Sequence, residues 1–243
     1  MTIIAGHASH GDDRLTPLGP PALTGWQGKN MRYFDFRLAP SPTKVRLFIA
    51  EKGLDIPTVE VNLREGEHKT PEFLEKIPTA TVPALELDDG TMLTESHSIC
   101  RYLEIEHPEP NLMGRDAKEQ ALVLMWNDVA TLEGYLAAQE VLRNEQSGFA
   151  GRALPGPKSY EQIPALVDRG RQRLEHFFDK LDARLGESDY IALDRFTYAD
   201  LVSYVYKGFS ERVTKENYSE GRDNLTRWAD SIAARPAVQS AMG

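Results

Sequence analysis

The stretch Val82-Pro83-Ala84-Leu85-Glu86-Leu87-Asp88-Asp89-Gly90-Thr91-Met92-Leu93-Thr94-Glu95-Ser96 decides the fold. Val82 to Leu87 and Thr91 to Leu93 read as two strands. Asp89-Gly90 between them is a strong signal for a tight hairpin turn. Ser96 then reads as the cap of a helix that carries Ile99, Tyr102 and Leu103. A short hairpin followed directly by a helix is the second half of a compact α/β unit.

The first half lies upstream. Arg32 to Phe36 is short and aromatic, and it reads as a strand. Ser41-Pro42 reads as a helix start, with Ser41 as N-cap and Pro42 at the first helical position. Val45, Phe48 and Ile49 give that helix an apolar face, and Gly53 stops it. Thr58 to Leu63 alternates as a second strand, and Thr70-Pro71 caps a short helix through Phe73 and Leu74. The order is βαβ followed by αββα. Its strand–helix–strand unit demands a right-handed crossover.

Downstream, the polar segment 108–117 is broken by prolines and a glycine and reads as a linker. After it the pattern is helical. Ala121, Leu122, Met125, Trp126, Val129, Leu132 and Leu136 predict one long amphipathic helix. Ile163, Leu166, Val167, Gly170, Leu174, Phe177, Phe178, Leu181 and Leu185 predict another. His176, beside Phe177, reads as structural. Thr197 with Asp200 forms a capping box in which Asp replaces the preferred Glu. That helix buries Ala199, Val202, Val205, Tyr206 and Phe209. Arg222 to Ala234 predicts a last helix that ends before Pro236. The expected organisation is an extension over 1–30, an α/β domain over 31–107, a linker over 108–117 and an all-helical domain over 118–243.

Residues 1–30 are rich in glycine and proline and hold no period. They read as a flexible extension, or as the product of an upstream start with the natural one at Met31. An arm docking through Leu23 and Trp26 is the alternative. The apolar run Ile3-Ile4-Ala5 is too short for a secretory signal, so a cytoplasmic protein is expected.

Composition narrows the function classes. The chain has 243 residues, 41% hydrophobic and 27% charged, with a net charge of −9. Such a balance disfavours nucleic acid and anionic membrane surfaces as partners. No apolar run reaches the length of a membrane span. The one cysteine, Cys100, excludes an internal disulfide and a Cys-x-x-Cys redox pair. Lying beside Ile99 in a predicted helix, it reads as a small core residue. No histidine pair has metal-ligand spacing, so no metal is expected.

Four motifs resemble the cytosolic glutathione transferase family. They are Ala80-Thr81-Val82-Pro83-Ala84-Leu85, Thr94-Glu95-Ser96-His97-Ser98-Ile99, Gly66-Glu67-His68-Lys69 with Pro71-Glu72, and Phe196-Thr197-Tyr198-Ala199-Asp200. The third resembles the plant phi class closely and the bacterial nu class more loosely. The resemblance runs from Arg32 to Ala237. It implies a thioredoxin-like first domain, an all-helical second domain, a homodimer and glutathione as cosubstrate. A cis peptide, cheap only before proline, is expected at Val82-Pro83. It would turn the Val82 N–H and C=O toward the tripeptide backbone, as an added strand would. Thr81 stands where the phi class carries glutamine, which puts one backbone contact in doubt. Glu95 and Ser96 sit at a helix start, where free N–H groups favour an anion. Ser96 suits the γ-glutamyl carboxylate and Glu95 its ammonium. His68 and Lys69 match the pair that holds the glycyl carboxylate.

The catalytic position departs from the family. A free thiol has a pKa of about 8.5 and needs a donor or a positive field to ionise near neutrality. The serine of the phi class, or the cysteine of the omega class, falls here on Ala39, which has no donor. Ser41 falls on the beta-class cysteine and the nu-class asparagine, so Ser41 is the candidate thiolate donor. Backbone N–H groups are the alternative, and Tyr33 is a third candidate. The electrophile is expected between the Ala39 loop and the helices around Tyr135 and Tyr206. Three functions stay open: a transferase acting on an electrophilic small molecule, as in detoxification, a glutathione-dependent disulfide or peroxide reductase, and a non-catalytic binding protein.

Overall fold

The computed structural model describes residues 31–242. A four-stranded sheet of order β2-β1-β3-β4 forms the first layer. Its strands are β1 (Arg32–Asp35), β2 (Thr58–Glu60), β3 (Ala84–Glu86) and β4 (Met92–Thr94). β2 runs parallel to β1 across helix α1 (Pro40–Glu51), while β3 runs antiparallel to β1 and β4 antiparallel to β3. The Asp89-Gly90 turn forms as expected. Gly90 takes φ +84°, and Asp89 accepts from the Thr91 N–H at 2.8 Å. Helices α2 (Pro71–Lys76) and α3 (Ser96–Glu106) complete the unit. Thr70 caps α2 by accepting from the Phe73 N–H.

Two helix starts differ from expectation. α1 begins at Pro40 with Ala39 as its N-cap, so Ser41 is the second helical residue rather than the cap. Both Pro40 and Pro42 suit the first turn, and a cap can be placed before either. Likewise Ser96 is the first residue of α3, and Glu95 holds the cap position at φ +67°.

The second layer is helical: α4 (Ala117–Val129), a π-helical segment (Ala130–Tyr135), α5 (Leu136–Glu145), α6 (Ala165–Glu187), α7 (Tyr198–Thr214), α8 (Asp223–Ala233) and α9 (Pro236–Met242). The expected single helix over Ala121 to Leu136 is thus interrupted, and its buried face is not the predicted one. Met125, Leu132 and Leu136 are exposed, while Val123, Asn127, Ala130, Gly134, Ala137 and Ala138 are buried. Small residues win because the neighbouring helix approaches closely. A Cβ at Gly134 would lie 2.6 Å from the Phe177 ring. His176 lies on the exposed face of α6 and has no core role. α9 starts at Pro236, which opens a helix as readily as it ends one.

The Thr197–Asp200 capping box forms. Asp200 is buried and fully used: it accepts from the Thr197 N–H and hydroxyl, the Ile191 N–H and the Trp228 indole. Residues 107–116 are pinned between the layers. Leu112 and Met113 are buried, and their N–H groups donate to Glu104. Phe48 of α1 meets Tyr198 of α7 edge-on at 5.8 Å, so the layers share one core.

Candidate active site

Strand register gathers the predicted motifs. Glu60 pairs with Asp35, Ala84 with Phe34, and Thr94 with Ala84. The loop after β1, the loop after β2, the residues before β3 and those after β4 therefore leave one end of the sheet. Those segments carry Ser41, His68 with Lys69, Thr81 to Pro83, and Glu95 with Ser96.

Each residue has a definite setting. The Val82–Pro83 peptide is cis, and Pro83 is buried. Among the described residues the Val82 N–H and C=O take no backbone partner. The Thr81 hydroxyl pairs with that of Thr79 at 2.9 Å. Glu95 is exposed and Ser96 buried at the α3 N-terminus. A non-glycine residue in Glu95's left-handed backbone is strained, and such strain concentrates at functional sites. His68 and Lys69 lie in a single 3-10 turn (Glu67–Lys69). Burial pulls the His68 pKa down, with Lys69 and Arg152 acting in the same direction. Its Nδ1 is buried without a hydrogen-bond partner. Arg152 comes from the loop after α5, and nothing in its sequence neighbours ties it to this end of the sheet.

The first turn of α1 is short of donors. The Ala39 N–H donates to the Phe36 carbonyl, and Pro40 and Pro42 have none. The Thr43 N–H and hydroxyl both donate to the Ala39 carbonyl. Ser41 therefore supplies the remaining N–H of that turn as well as a hydroxyl. Burial raises the Tyr135 pKa, and Ser41 lies near enough to its hydroxyl to oppose that rise. Tyr33 is no rival. It is buried, and its hydroxyl donates to the Pro42 carbonyl at 2.6 Å. Cys100 is also buried, and burial pushes its thiol up to about 12.

The electrophile side differs from expectation. Tyr206 is only 1% exposed and stacks behind Tyr135 at 4.8 Å, so it cannot wall an open pocket. A cavity of about 310 Å³ adjoins the same loop through Arg37 and Pro40, but α7 and α8 line it, through residues such as Phe209, Arg212 and Ala233. Among the described residues no cluster of His, Cys, Asp and Glu could hold a metal ion, and no helix is long and apolar enough to cross a membrane.

A thioredoxin-like sheet with a cis-proline before β3, docked on a helical layer through its first helix, defines a two-domain α/β plus all-α class of protein. The comparisons narrow it. Residues 40–105 match the glutathione S-transferase N-terminal domain and residues 131–236 the C-terminal domain. Glutathione S-transferase 2 of Saccharomyces cerevisiae is 32% identical over 87% of this chain and 89% of its own. A glutathione S-transferase domain-containing protein of Marinobacter aquaeolei superposes with a TM-score of 0.78 at 31% identity, covering 85% of this chain and 99% of its own. A glutathione S-transferase of Vibrio parahaemolyticus gives 0.73 at 33% identity, over 86% and 96%. The chain belongs to the glutathione S-transferase family.

Proposed function

We propose that the protein is a glutathione transferase in which Ser41 stabilises the glutathione thiolate for attack on an electrophilic small molecule. The observation that carries this reading is the donor count of the first α1 turn: Ser41 alone offers a hydroxyl and an uncommitted N–H there. The helix N-terminus adds partial positive charge. The thiol proton leaves to solvent, the thiolate sulfur forms a bond to the electrophilic carbon, and the leaving group departs with its electron pair.

The other residues bind. Val82 pairs its backbone with the cysteinyl unit, and Pro83 sets that edge, with Thr81 beside it. Glu95 takes the γ-glutamyl ammonium and Ser96 the carboxylate. His68 and Lys69 take the glycyl carboxylate, and the unpartnered His68 Nδ1 supports this. The electrophile sits between the Ala39 loop and Tyr135. A homodimer is supported by exposed apolar side chains on both layers, Ile105 on α3 and Leu124 and Met125 on α4. The reading places the protein in the cytoplasm.

Kinetics with a chlorodinitrobenzene test this. Ser41→Ala is expected to lower kcat/KM about a hundredfold, the usual scale for one donor to a developing or bound anion. Affinity for S-methylglutathione, which has no thiol, is expected to persist. Unchanged turnover in the variant removes Ser41 from the role. Turnover of hydroperoxides or mixed disulfides in place of aryl halides selects the reductase reading.

A further inference from the structure

Helix α1 carries a buried cation that the reading above does not use. Lys44 lies one turn on from Ser41, at a spacing that shares a helix face. It is 4% exposed. Its Nζ donates to the Tyr206 hydroxyl at 2.5 Å and stands 4.7 Å from the centre of that ring. Tyr206 stacks on Tyr135, which lies beside Ser41. The Lys44 ammonium and the candidate thiolate donor thus adjoin the same pair of stacked tyrosines.

Among the described residues no carboxylate lies within ion-pair distance of Lys44, although ion pairs are plentiful elsewhere in the chain. The groups that act on it are Glu95 and Cys100 from the α3 side and Tyr135 from the π-helical segment, with Tyr206 of α7 bound to it and His97 of α3 close by. None of these is a buried carboxylate. An uncompensated buried ammonium is a cost to the empty protein. It becomes favourable when a ligand sets an anion beside it.

We propose that Lys44 is a positioning residue whose buried charge, held by the Tyr206 hydroxyl, stabilises the glutathione thiolate at Ser41. This rests on Ser41 being where the thiolate sits. The charge is conditional: burial lowers the Lys44 pKa to about 8, so the ammonium is present at neutral pH and lost in mild alkali.

The test is ultraviolet titration of the thiolate of glutathione bound to the full chain, in wild type, Lys44→Met, Lys44→Arg and Tyr206→Phe. Lys44→Met is expected to raise the bound-thiolate pKa by about one unit, the scale of a unit charge acting across a low-dielectric interior. Lys44→Arg is expected to restore most of the wild-type value. Tyr206→Phe keeps the charge but releases it, so a smaller rise is expected; that variant carries the test if Lys44→Met does not fold. Affinity for S-methylglutathione is expected to stay within about twofold in all of them, since only the thiolate is missing. A wild-type thiolate pKa in Lys44→Met or in Tyr206→Phe overturns the proposal while leaving Ser41 in place. A wild type that binds no glutathione, or that leaves its thiol pKa unshifted, overturns both.

Discussion

Lys44, in the N-terminal half of α1, and Lys52, its C-cap, are both buried, yet their surroundings are opposite. Lys52 meets Glu104 at 2.6 Å and donates to the His107 and Pro110 carbonyls at 2.7 Å each. Glu104 in turn accepts from the N–H groups of Leu112 and Met113. Every charge there is answered, and the network ties α1, α3 and the segment before α4 together. Lys44 has a tyrosine hydroxyl and a ring face instead. The Lys52 charge is answered within the protein; on the proposal above, the Lys44 charge is answered by the bound thiolate.

The contrast can be broken by exchanging the fates of the two lysines. Lys52→Met leaves Glu104 buried and unpaired, and it is expected to cost about 3–5 kcal/mol in denaturant unfolding. Lys52→Met with Glu104→Leu is expected to recover most of that, because removing both charges also removes the desolvation cost. A small effect of the single variant would erase the distinction between the two ends.

Lys44→Met is expected to do the reverse and stabilise the ligand-free protein at pH 7, by about 3 kcal/mol on the scale of its pKa displacement. The sign follows from linkage. The folded pKa, about 8, lies below the unfolded value of 10.5, so the unfolded chain binds more protons between them. Wild-type stability therefore rises with pH from about 8 to 10.5, and the advantage of Lys44→Met fades over the same window. Unfolding free energies measured across that window check both statements. Loss of stability in Lys44→Met at pH 7 would make Lys44 an ordinary structural residue.

Finer still is Tyr206→Phe. Losing one buried hydrogen bond is expected to cost about 1 kcal/mol of stability at neutral pH. A much larger loss would mean that the hydroxyl, rather than the ligand, is what answers the Lys44 charge.

The sheet was legible from strand alternation, the Asp-Gly turn and the proline before β3, because each is a local rule with little competition. The Thr197–Asp200 box was legible for the same reason. The α1 start was less so: Pro40 and Pro42 both fit a first turn, and the shift from Ser41 to Ala39 as cap changes which donors remain. The face of α4 was misjudged because Leu and Met outweigh Val123, Asn127 and Ala130 in any apolar pattern, while close helix packing selects small residues. Lys44 carried no signal. A lysine in a helix reads as solvent-facing, and its burial is imposed by Tyr206, far along the chain. The four motifs that meet at one end of the sheet were legible as local sequence; the electrostatics behind them depended on tertiary contacts.

The most direct test of the account is the thiolate pKa of glutathione bound to wild type and to Ser41→Ala. The account predicts a wild-type value well below the roughly 8.5 of a free thiol, and a rise toward it in the variant with binding retained. A bound thiol that titrates as it does in free glutathione would contradict it.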